Sequence, residues 1–198
     1  MDKKQAGKLF LLSAPSGCGK TTVTYKLLET LQPSCDIARV VTYTSRAPRT
    51  TDKPGIDYHF LSVEEFERRI EQSFFLEWSK VYDDYHGTPG DMLEKIDIGS
   101  SYIAVVDRLG VGSILKKYQQ AVTIWLEPPS LDILERRLRN RKSEQEEQIC
   151  KRLTLAQQEI KDARTFPYDY HVINDLFDAT VCELRAIIQK ELDKKIIK

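Results

Sequence analysis

The sequence has 198 residues, of which 41% are hydrophobic and 30% are charged. These proportions are typical of one folded domain with a hydrophobic core, and they argue against a disordered chain. The 30 Lys and Arg residues balance the 30 Asp and Glu residues, so no overall charge favours nucleic acid or an anionic membrane. We therefore expect small-molecule partners, no nucleic acid or membrane partner, and a monomer or homodimer.

No segment has the features of a targeting sequence or a membrane span. The longest apolar runs, such as 9–12 and 102–106, are much shorter than a membrane-spanning helix. The four cysteines are Cys18, Cys35, Cys150 and Cys182. No two of them have the C-x-x-C spacing of a zinc site. This cysteine usage predicts reduced thiols and a cytoplasmic location.

Short apolar runs alternate with amphipathic segments along the chain. The predicted strands are residues 8–12, 40–44, 102–106, 122–126 and 170–173. The predicted helices are residues 22–31, 63–72, 112–118, 131–139 and 180–192. This order predicts an α/β fold with a parallel sheet and helices on both faces.

Two stretches interrupt the alternation. Residues 42–88 carry clusters of Thr, Tyr, Gly and Pro around one helix, which indicates a small mixed-sheet lobe inserted into the core. Residues 137–164 begin with a run of charge and continue with helical spacing, which indicates a helical lid. We therefore expect a single domain whose core consists of residues 7–41, 89–136 and 165–198.

The stretch from Ala14 to Thr21 joins the first predicted strand to the first helix and matches the Walker A pattern. Gly17 and Gly19 remove Cβ atoms, so that backbone N–H groups can point at phosphate oxygens. Lys20 is placed to reach the β- and γ-phosphates, and the Thr21 hydroxyl is placed to bind Mg²⁺. The loop residues assigned to ATP are Ser16, Gly17, Cys18, Gly19, Lys20, Thr21 and Thr22. The alternative, a turn that binds nothing, is disfavoured by the flanking strand and helix.

Two arginines, Arg46 and Arg49, lie three residues apart in an otherwise uncharged stretch. The planar guanidinium group matches phosphate oxygens bidentately and stays charged near neutral pH, so the pair is suited to hold one phosphate. Tyr58 is a further hydroxyl donor. Alone, this spacing is a weak signal, and it also occurs in solvated surface loops.

Several motifs in order along the chain resemble the guanylate kinase family. They are Ser-Gly-x-Gly-Lys-Thr at 16–21, Thr-Ser-Arg-x-Pro-Arg at 44–49, Asp-Tyr-His-Phe at 57–60, Phe-Leu-Glu-Trp at 75–78, Tyr-His-Gly-Thr at 85–88 and Val-Ile-Asn-Asp at 172–175. The resemblance extends from about residue 7 to about residue 190, and the ordered set is far more specific than any single motif. It implies a P-loop three-layer fold in which the inserted lobe binds GMP.

The resemblance also implies which residues contact GMP. They are Thr42, Arg46, Arg49, Tyr58, Glu77, His86 and Thr88. Glu77 is assigned to the base, because an ionised carboxylate accepts hydrogen bonds from both N1–H and the 2-amino group of guanine. Adenine would present a lone pair to the same charge, which gives discrimination by mismatch. The alternative for Glu77 is a surface carboxylate at the end of a strand.

For the donor side, the resemblance assigns catalysis to the lysine of the loop and the arginines of the lid, Lys20, Arg137, Arg141 and Arg152. Asn174 matches the loop on the adenine side, although an Asx turn is the simpler interpretation. Asp107 follows a predicted strand beside the phosphate loop and is expected to bind Mg²⁺ through water, with Thr21 as the direct ligand.

Three positions depart from the family pattern. His86 stands where a phosphate-binding Tyr is usual, Val105 stands at the first position of an Asp-x-Asp pair, and Leu109 replaces a Gln. None of these changes removes a group needed to hold ATP and Mg²⁺. They do affect how the acceptor is held.

The function predicted from these motifs is ATP-dependent phosphorylation of GMP, and also of dGMP, by in-line transfer with Mg²⁺. One alternative is a non-catalytic guanylate-kinase-like binding module. Another is a related P-loop kinase with a different phosphorylated acceptor, which the residues at 86 and 105 leave open.

Overall fold

The computed structural model describes residues 6–32, 35–50, 52–81, 83–140 and 145–194. The strands in these ranges are β1 (Leu9–Ser13), β2 (Ile37–Arg39), β3 (Thr42–Thr44), β4 (Tyr58–Phe60), β5 (Phe75–Val81), β6 (Asp84–Pro89), β7 (Ser101–Val105), β8 (Val122–Glu127) and β9 (Tyr170–Ile173). The helices are α1 (Lys20–Leu31), α2 (Val63–Glu71), α3 (Met92–Asp97), α4 (Arg108–Lys117), α5 (Leu131–Asn140), α6 (Glu146–Ala163) and α7 (Phe177–Asp193).

A five-stranded sheet with the order β2-β7-β1-β8-β9 forms the centre of the protein. Each neighbouring pair in this sheet is parallel. The apolar run of β1 is buried along its whole length, because helices cover both faces of the sheet. Phe10 and Leu12 belong to the core layer with α1 and α7, whereas Leu9 and Leu11 belong to the layer with α3 and α4. The parallel α/β core predicted from the sequence is confirmed.

A second, four-stranded sheet has the order β4-β3-β6-β5 and contains both parallel and antiparallel pairs. Aromatic rings fill the space between this sheet and α2, and Phe66 stacks on Phe75 at 4.4 Å and on Tyr85 at 5.1 Å. Helix α2 begins after Ser62, whose hydroxyl accepts the backbone N–H of Glu65 at 3.1 Å. The predicted second, mixed sheet is also confirmed.

Helices α5 and α6 share a small apolar cluster formed by Leu134, Leu138, Ile149 and Ala156. This cluster is separate from the two layers beside the central sheet. The two helices therefore hold each other through contacts of their own. No helix within the described residues is long and apolar enough to cross a membrane.

The two largest differences between predicted and observed element bounds lie at 40–44 and 112–118. The strand predicted at 40–44 spans two sheets, because β2 and Val40 pair with β7 whereas β3 belongs to the second sheet. No Gly or Pro separates these stretches, so the pattern gives no break. The helix predicted at 112–118 begins at Arg108, because the Asp107 carboxylate accepts the backbone N–H of Gly110 at 2.6 Å and caps it.

Candidate functional site

A cleft of about 590 Å³ lies between the loop that follows β1, the second sheet and α6. Most of the predicted site residues within the described ranges line this cleft. Those residues are Ser16, Gly17, Cys18, Gly19, Lys20, Thr21, Thr22, Thr42, Arg46, Arg49, Tyr58, Glu77, His86, Thr88, Asp107 and Arg152. Segments far apart in the sequence therefore meet around one cavity.

The loop between β1 and α1 takes its shape from two glycines. Gly17 and Gly19 both have φ of 88°, a left-handed conformation that L side chains rarely adopt. A Cβ on Gly17 would also lie 2.6 Å from Leu138 of α5. Helix α1 starts directly after Gly19 without a side-chain cap, so its first N–H groups are available to an anion. The Lys20 ammonium donates to the backbone carbonyl of Ala14 at 2.6 Å, which keeps its charge at the loop.

Two predicted residues support the loop from behind and do not line the cleft. The Asn174 side-chain amide donates to the carbonyl of Cys18 at 2.6 Å, and Arg137 donates to the carbonyl of Asn174 at 3.0 Å. Burial raises the pKa of the Cys18 thiol to about 11. The thiol is therefore protonated near neutral pH, where it fills space beneath the loop. Arg141 lies outside the described residues.

Helix α6 reaches the same loop from the other side of the cleft. Arg152 donates to the hydroxyl of Ser16 at 3.0 Å. Glu159, two helical turns further along, also lines the cleft. Burial raises the pKa of Glu159, and the charge of Lys20 opposes the rise. This helix thus brings charge of both signs to the loop.

The second sheet contributes the basic wall of the cleft. The Arg46 guanidinium forms an ion pair with Asp52 at 2.8 Å and lies 5.6 Å from the centre of the Tyr58 ring. The backbone N–H of Arg49 donates to the same Asp52 carboxylate at 2.7 Å. Although burial acts against it, these donors hold the pKa of Asp52 below its ordinary value. An ionised Asp52 therefore orders the arginine loop.

His86 lies beside this wall, with its ring 6.3 Å from that of Tyr58 in an edge-on arrangement. Burial lowers the pKa of His86, and the nearby Arg46 and Arg49 charges lower it further, whereas Asp107 and Asp84 act in the opposite direction. The imidazole is therefore neutral at neutral pH in the protein without substrate, and it offers one hydrogen-bond donor.

Glu77 lines the cleft with only 6% of its surface exposed. Its carboxylate accepts the hydroxyl of Thr88 at 2.6 Å. Burial raises the pKa of Glu77 to about 7, and the charge of Asp107 adds to the rise. Gly110 leaves room for this side chain, because a Cβ there would lie 3.0 Å from Glu77 Oε2. The lining of the cleft thus includes a buried carboxyl group that titrates near neutral pH.

Asp107 follows β7 of the central sheet and contacts both α4 and β5. One carboxylate oxygen caps α4 through Gly110, and the other accepts the hydroxyl of Ser79 at 2.6 Å. Each carboxylate oxygen has a second lone-pair site, so Asp107 retains capacity for water.

The family comparison bears on this arrangement. The family model described as guanylate kinase matches residues 6–191. The chain belongs to the guanylate kinase family. A guanylate kinase from Rickettsia conorii is 38% identical over 195 residues, covering 98% of this chain and 83% of that protein. A guanylate kinase from Myxococcus xanthus is 38% identical over 186 residues, covering 93% of this chain and 87% of that protein.

Solved structures agree with this family assignment. The crystal structure of guanylate kinase from Anaplasma phagocytophilum has a TM-score of 0.80 and 30% identity, covering 96% of this chain and 89% of that one. A gluconokinase from Sinorhizobium meliloti has a TM-score of 0.52 at 12% identity, covering 96% of this chain and 95% of that one, which shows similarity of fold alone.

Some residues of the cleft were not singled out from the sequence. They are Ala14, Ser79, Asp83, Asp84, Gly87, Val106, Gln148, Lys151, Leu155 and Glu159. Strand and helix periodicity could have found two of them. Ser79 follows Glu77 by two residues on one strand, and Glu159 follows Arg152 by seven on one helix, so each lies on the same face as a predicted residue.

Proposed function

We propose that this protein transfers the γ-phosphoryl group of ATP to GMP and releases ADP and GDP. The observation that carries the proposal is the single cleft that a phosphate loop, a pair of arginines and a buried carboxyl group share. Membership of the guanylate kinase family supports the same acceptor. We extend the proposal to dGMP.

The donor phosphates bind to the N–H groups of the loop and of the start of α1, and Lys20 neutralises the charge that develops during transfer. Thr22 and the backbone of Ser16 to Thr21 complete this site, and Asn174 holds the loop from the adenine side. Lys20 already lies against the loop through the carbonyl of Ala14. Little rearrangement is then needed when ATP binds.

Magnesium is the cofactor that we assign to the donor. No cluster of three or more His, Cys, Asp or Glu side chains able to hold a metal occurs in the described parts of the chain. Thr21 and Asp107 line the cleft and offer one hydroxyl and one carboxylate, and this set fits Mg²⁺, which is usually held by one or two carboxylates together with substrate phosphates. Thr21 and Asp107 are the residues we assign to it, Asp107 through water. The ion would supply charge neutralisation between the β- and γ-phosphates.

The acceptor phosphate binds to Arg46, Arg49 and Tyr58, with Thr42 and His86 beside them. In the substrate-free protein Arg46 pairs with Asp52. The phosphate of GMP therefore either shares Arg46 with Asp52 or replaces Asp52 as its partner. Guanine binds to Glu77 in its ionised form, with Thr88 orienting the carboxylate. The two substrates thus occupy opposite ends of one cleft.

The transfer requires no covalent enzyme intermediate and no strong base. A phosphate monoester has a second pKa near ~6, so the acceptor is largely dianionic at neutral pH and already nucleophilic. Arg137, Arg141 and Arg152 of the proposed lid, residues 137–164, would neutralise charge on the transferred group and exclude water, and Arg137 would have to leave the carbonyl of Asn174 to do so. Arg152 contacts the loop through Ser16.

The core and lobe boundaries given above, a cytoplasmic location, and the choice between monomer and homodimer stay predictions. A non-catalytic module is the weaker alternative, because this chain keeps Gly17, Gly19, Lys20 and Thr21 of the phosphate loop.

An ADP-release assay with GMP, dGMP, AMP, CMP and UMP as acceptors tests the proposal. We expect turnover with the two guanine nucleotides and at most trace turnover with the others. A binding module would give no turnover with any acceptor. A kinase with another acceptor would release ADP with AMP, CMP or UMP and not with GMP.

A further inference from the structure

Glu159 is a carboxylate at the donor end of the cleft that the proposed mechanism does not use. It lies on α6 and lines the same cavity as Thr21 and Asp107. Its Oε2 atom is buried in the substrate-free protein and has no hydrogen-bond partner among the described residues. A buried acceptor without a donor is destabilising, so this oxygen indicates a donor that arrives with a ligand.

The charges around Glu159 indicate what kind of ligand supplies that donor. Lys20, Arg108 and the backbone N–H of Ser16 stabilise the ionised carboxylate, although Oε2 itself lacks a partner, whereas the charge of Asp107 acts against ionisation. Arg108 is already paired with Asp162 at 3.0 Å. A nucleotide phosphate would add negative charge and no donor. A hydrated divalent cation supplies both positive charge and water hydrogens, and it relieves the repulsion between the two carboxylates.

We propose that Glu159 accepts a hydrogen bond from water bound to the magnesium ion that accompanies the donor nucleotide. This inference rests on the proposed function, and it adds a residue of α6 to the site of Thr21 and Asp107. Two carboxylates, one hydroxyl and the phosphates of a nucleotide make a set that is suited to Mg²⁺. Because α6 also carries Arg152, metal binding would hold this helix against the phosphate loop.

Titration of the protein–ADP complex with Mn²⁺ tests this inference. The bound Mn²⁺ is measured as the loss of the free Mn²⁺ signal in electron paramagnetic resonance. The variants are Glu159→Gln, which keeps the size of the side chain, and Glu159→Asp, which keeps the charge on a shorter side chain. Groups that hold a metal indirectly typically contribute 10- to 100-fold to affinity, so we expect Glu159→Gln to weaken Mn²⁺ binding by about 10-fold. We expect Glu159→Asp to weaken it by less.

Glu147→Gln is the matched control, because it makes the same change on the same helix. Glu147 has 79% of its side chain exposed and pairs with Lys151 at 2.7 Å. We expect this variant to bind Mn²⁺ as the wild type does. ADP affinity measured by calorimetry in EDTA gives a readout that excludes the metal, and we expect it to be no weaker in Glu159→Gln than in the wild type.

Equal Mn²⁺ affinity in wild type and in folded Glu159→Gln would overturn the inference. Equal losses of ADP affinity with and without metal would also overturn it, because they would show that Glu159 only holds α6 against the loop. If either of these contradicting results is found and the wild type still phosphorylates GMP, this inference is refuted and the proposed function is not. A wild type that neither binds ADP nor phosphorylates GMP would refute the proposed function as well.

Discussion

The donor and acceptor ends of the cleft are built in different ways. The donor end is mostly backbone, a short contiguous loop shaped by Gly17 and Gly19 and continued by the start of α1. The acceptor end is mostly side chains, which come from β3, β4, β5, β6 and the loop that carries the two arginines. Backbone N–H groups do not titrate near neutral pH, whereas Glu77 has a pKa of about 7. Binding of the acceptor should therefore respond to pH and to small changes of side chain, and binding of the donor much less.

The largest expected effect is on the donor side. Lys20→Ala should lower kcat by at least about 100-fold, because it removes a charge that stabilises the transition state in a water-excluded site. GMP affinity, measured by calorimetry, should change by less than about twofold. Lys26→Ala is the matched control, since Lys26 lies on the same helix with 49% of its side chain exposed. A parallel loss of GMP affinity in Lys20→Ala would show that the two ends are not separable.

Glu77→Gln should lower kcat/KM for GMP by about 10- to 100-fold. The amide keeps one acceptor but turns a donor toward guanine, and an unpaired buried donor costs about 1–3 kcal/mol. Steady-state kinetics with GMP and AMP check this, and selectivity for GMP should relax. Glu71→Gln, an exposed position at the end of α2, serves as the control. Unchanged kinetics in Glu77→Gln would remove that residue from the base site.

Gly110→Ala tests whether the Glu77 side chain needs the space that Gly110 leaves. The new Cβ would lie 3.0 Å from Glu77 Oε2, so the carboxylate must shift, and overpacking of this kind costs about 1–3 kcal/mol. We expect kcat/KM for GMP to fall by about 10-fold and KM for ATP to change less, because the new Cβ would lie further from Asp107 Oδ1, at 3.3 Å. Gly112→Ala on the same helix is the control, because its Cβ would meet nothing closer than 3.9 Å. Equal kinetics in the two variants would contradict the proposed contact.

The smallest expected effect concerns His86. Burial lowers its pKa, so the doubly protonated ring is present only on the acidic side of the usual value of ~6.5. Bound phosphate favours the doubly protonated ring. KM for GMP should therefore rise with pH in the wild type and rise less in His86→Tyr. Tyr keeps its proton up to about pH 10. We expect a difference of no more than about threefold between pH 6 and 8. Coincident profiles would mean that His86 does not bind the phosphate of GMP.

Much of the fold could be predicted because its signals are local. The apolar runs of β1, β7, β8 and β9 and the periodicity of α5 are contiguous, and the structure confirms them. The short strand β2 has only three residues, and its boundary with β3 carries no turn residue. Which sheet each of these two strands joins depends on tertiary contacts, and hydrophobic periodicity alone does not determine it.

The site residues also divide into those with a local sequence signal and those without one. The phosphate loop is one motif, so its residues could be assigned from the sequence. The contact between Ser79 and Asp107 joins β5 to the start of α4, and no local pattern connects residues so far apart. The raised pKa of Glu77 depends on burial, which a sequence does not give. The resemblance to a family supplied the acceptor residues, whereas their charge states required the structure.

The pH dependence of kcat/KM, measured for GMP and for ATP at saturating Mg²⁺, tests the contrast between the two ends most directly. This ratio reports the pKa values of free enzyme and free substrate. Glu77 is ionised above its pKa of about 7, so kcat/KM for GMP should fall as the pH drops through that value. GMP itself titrates near ~6 in the wild type and in Glu77→Gln alike, so the step near 7 should disappear only in the variant. The ATP profile should show no step at that pH. A GMP profile identical in wild type and Glu77→Gln, or an ATP profile with the same step, would contradict this account.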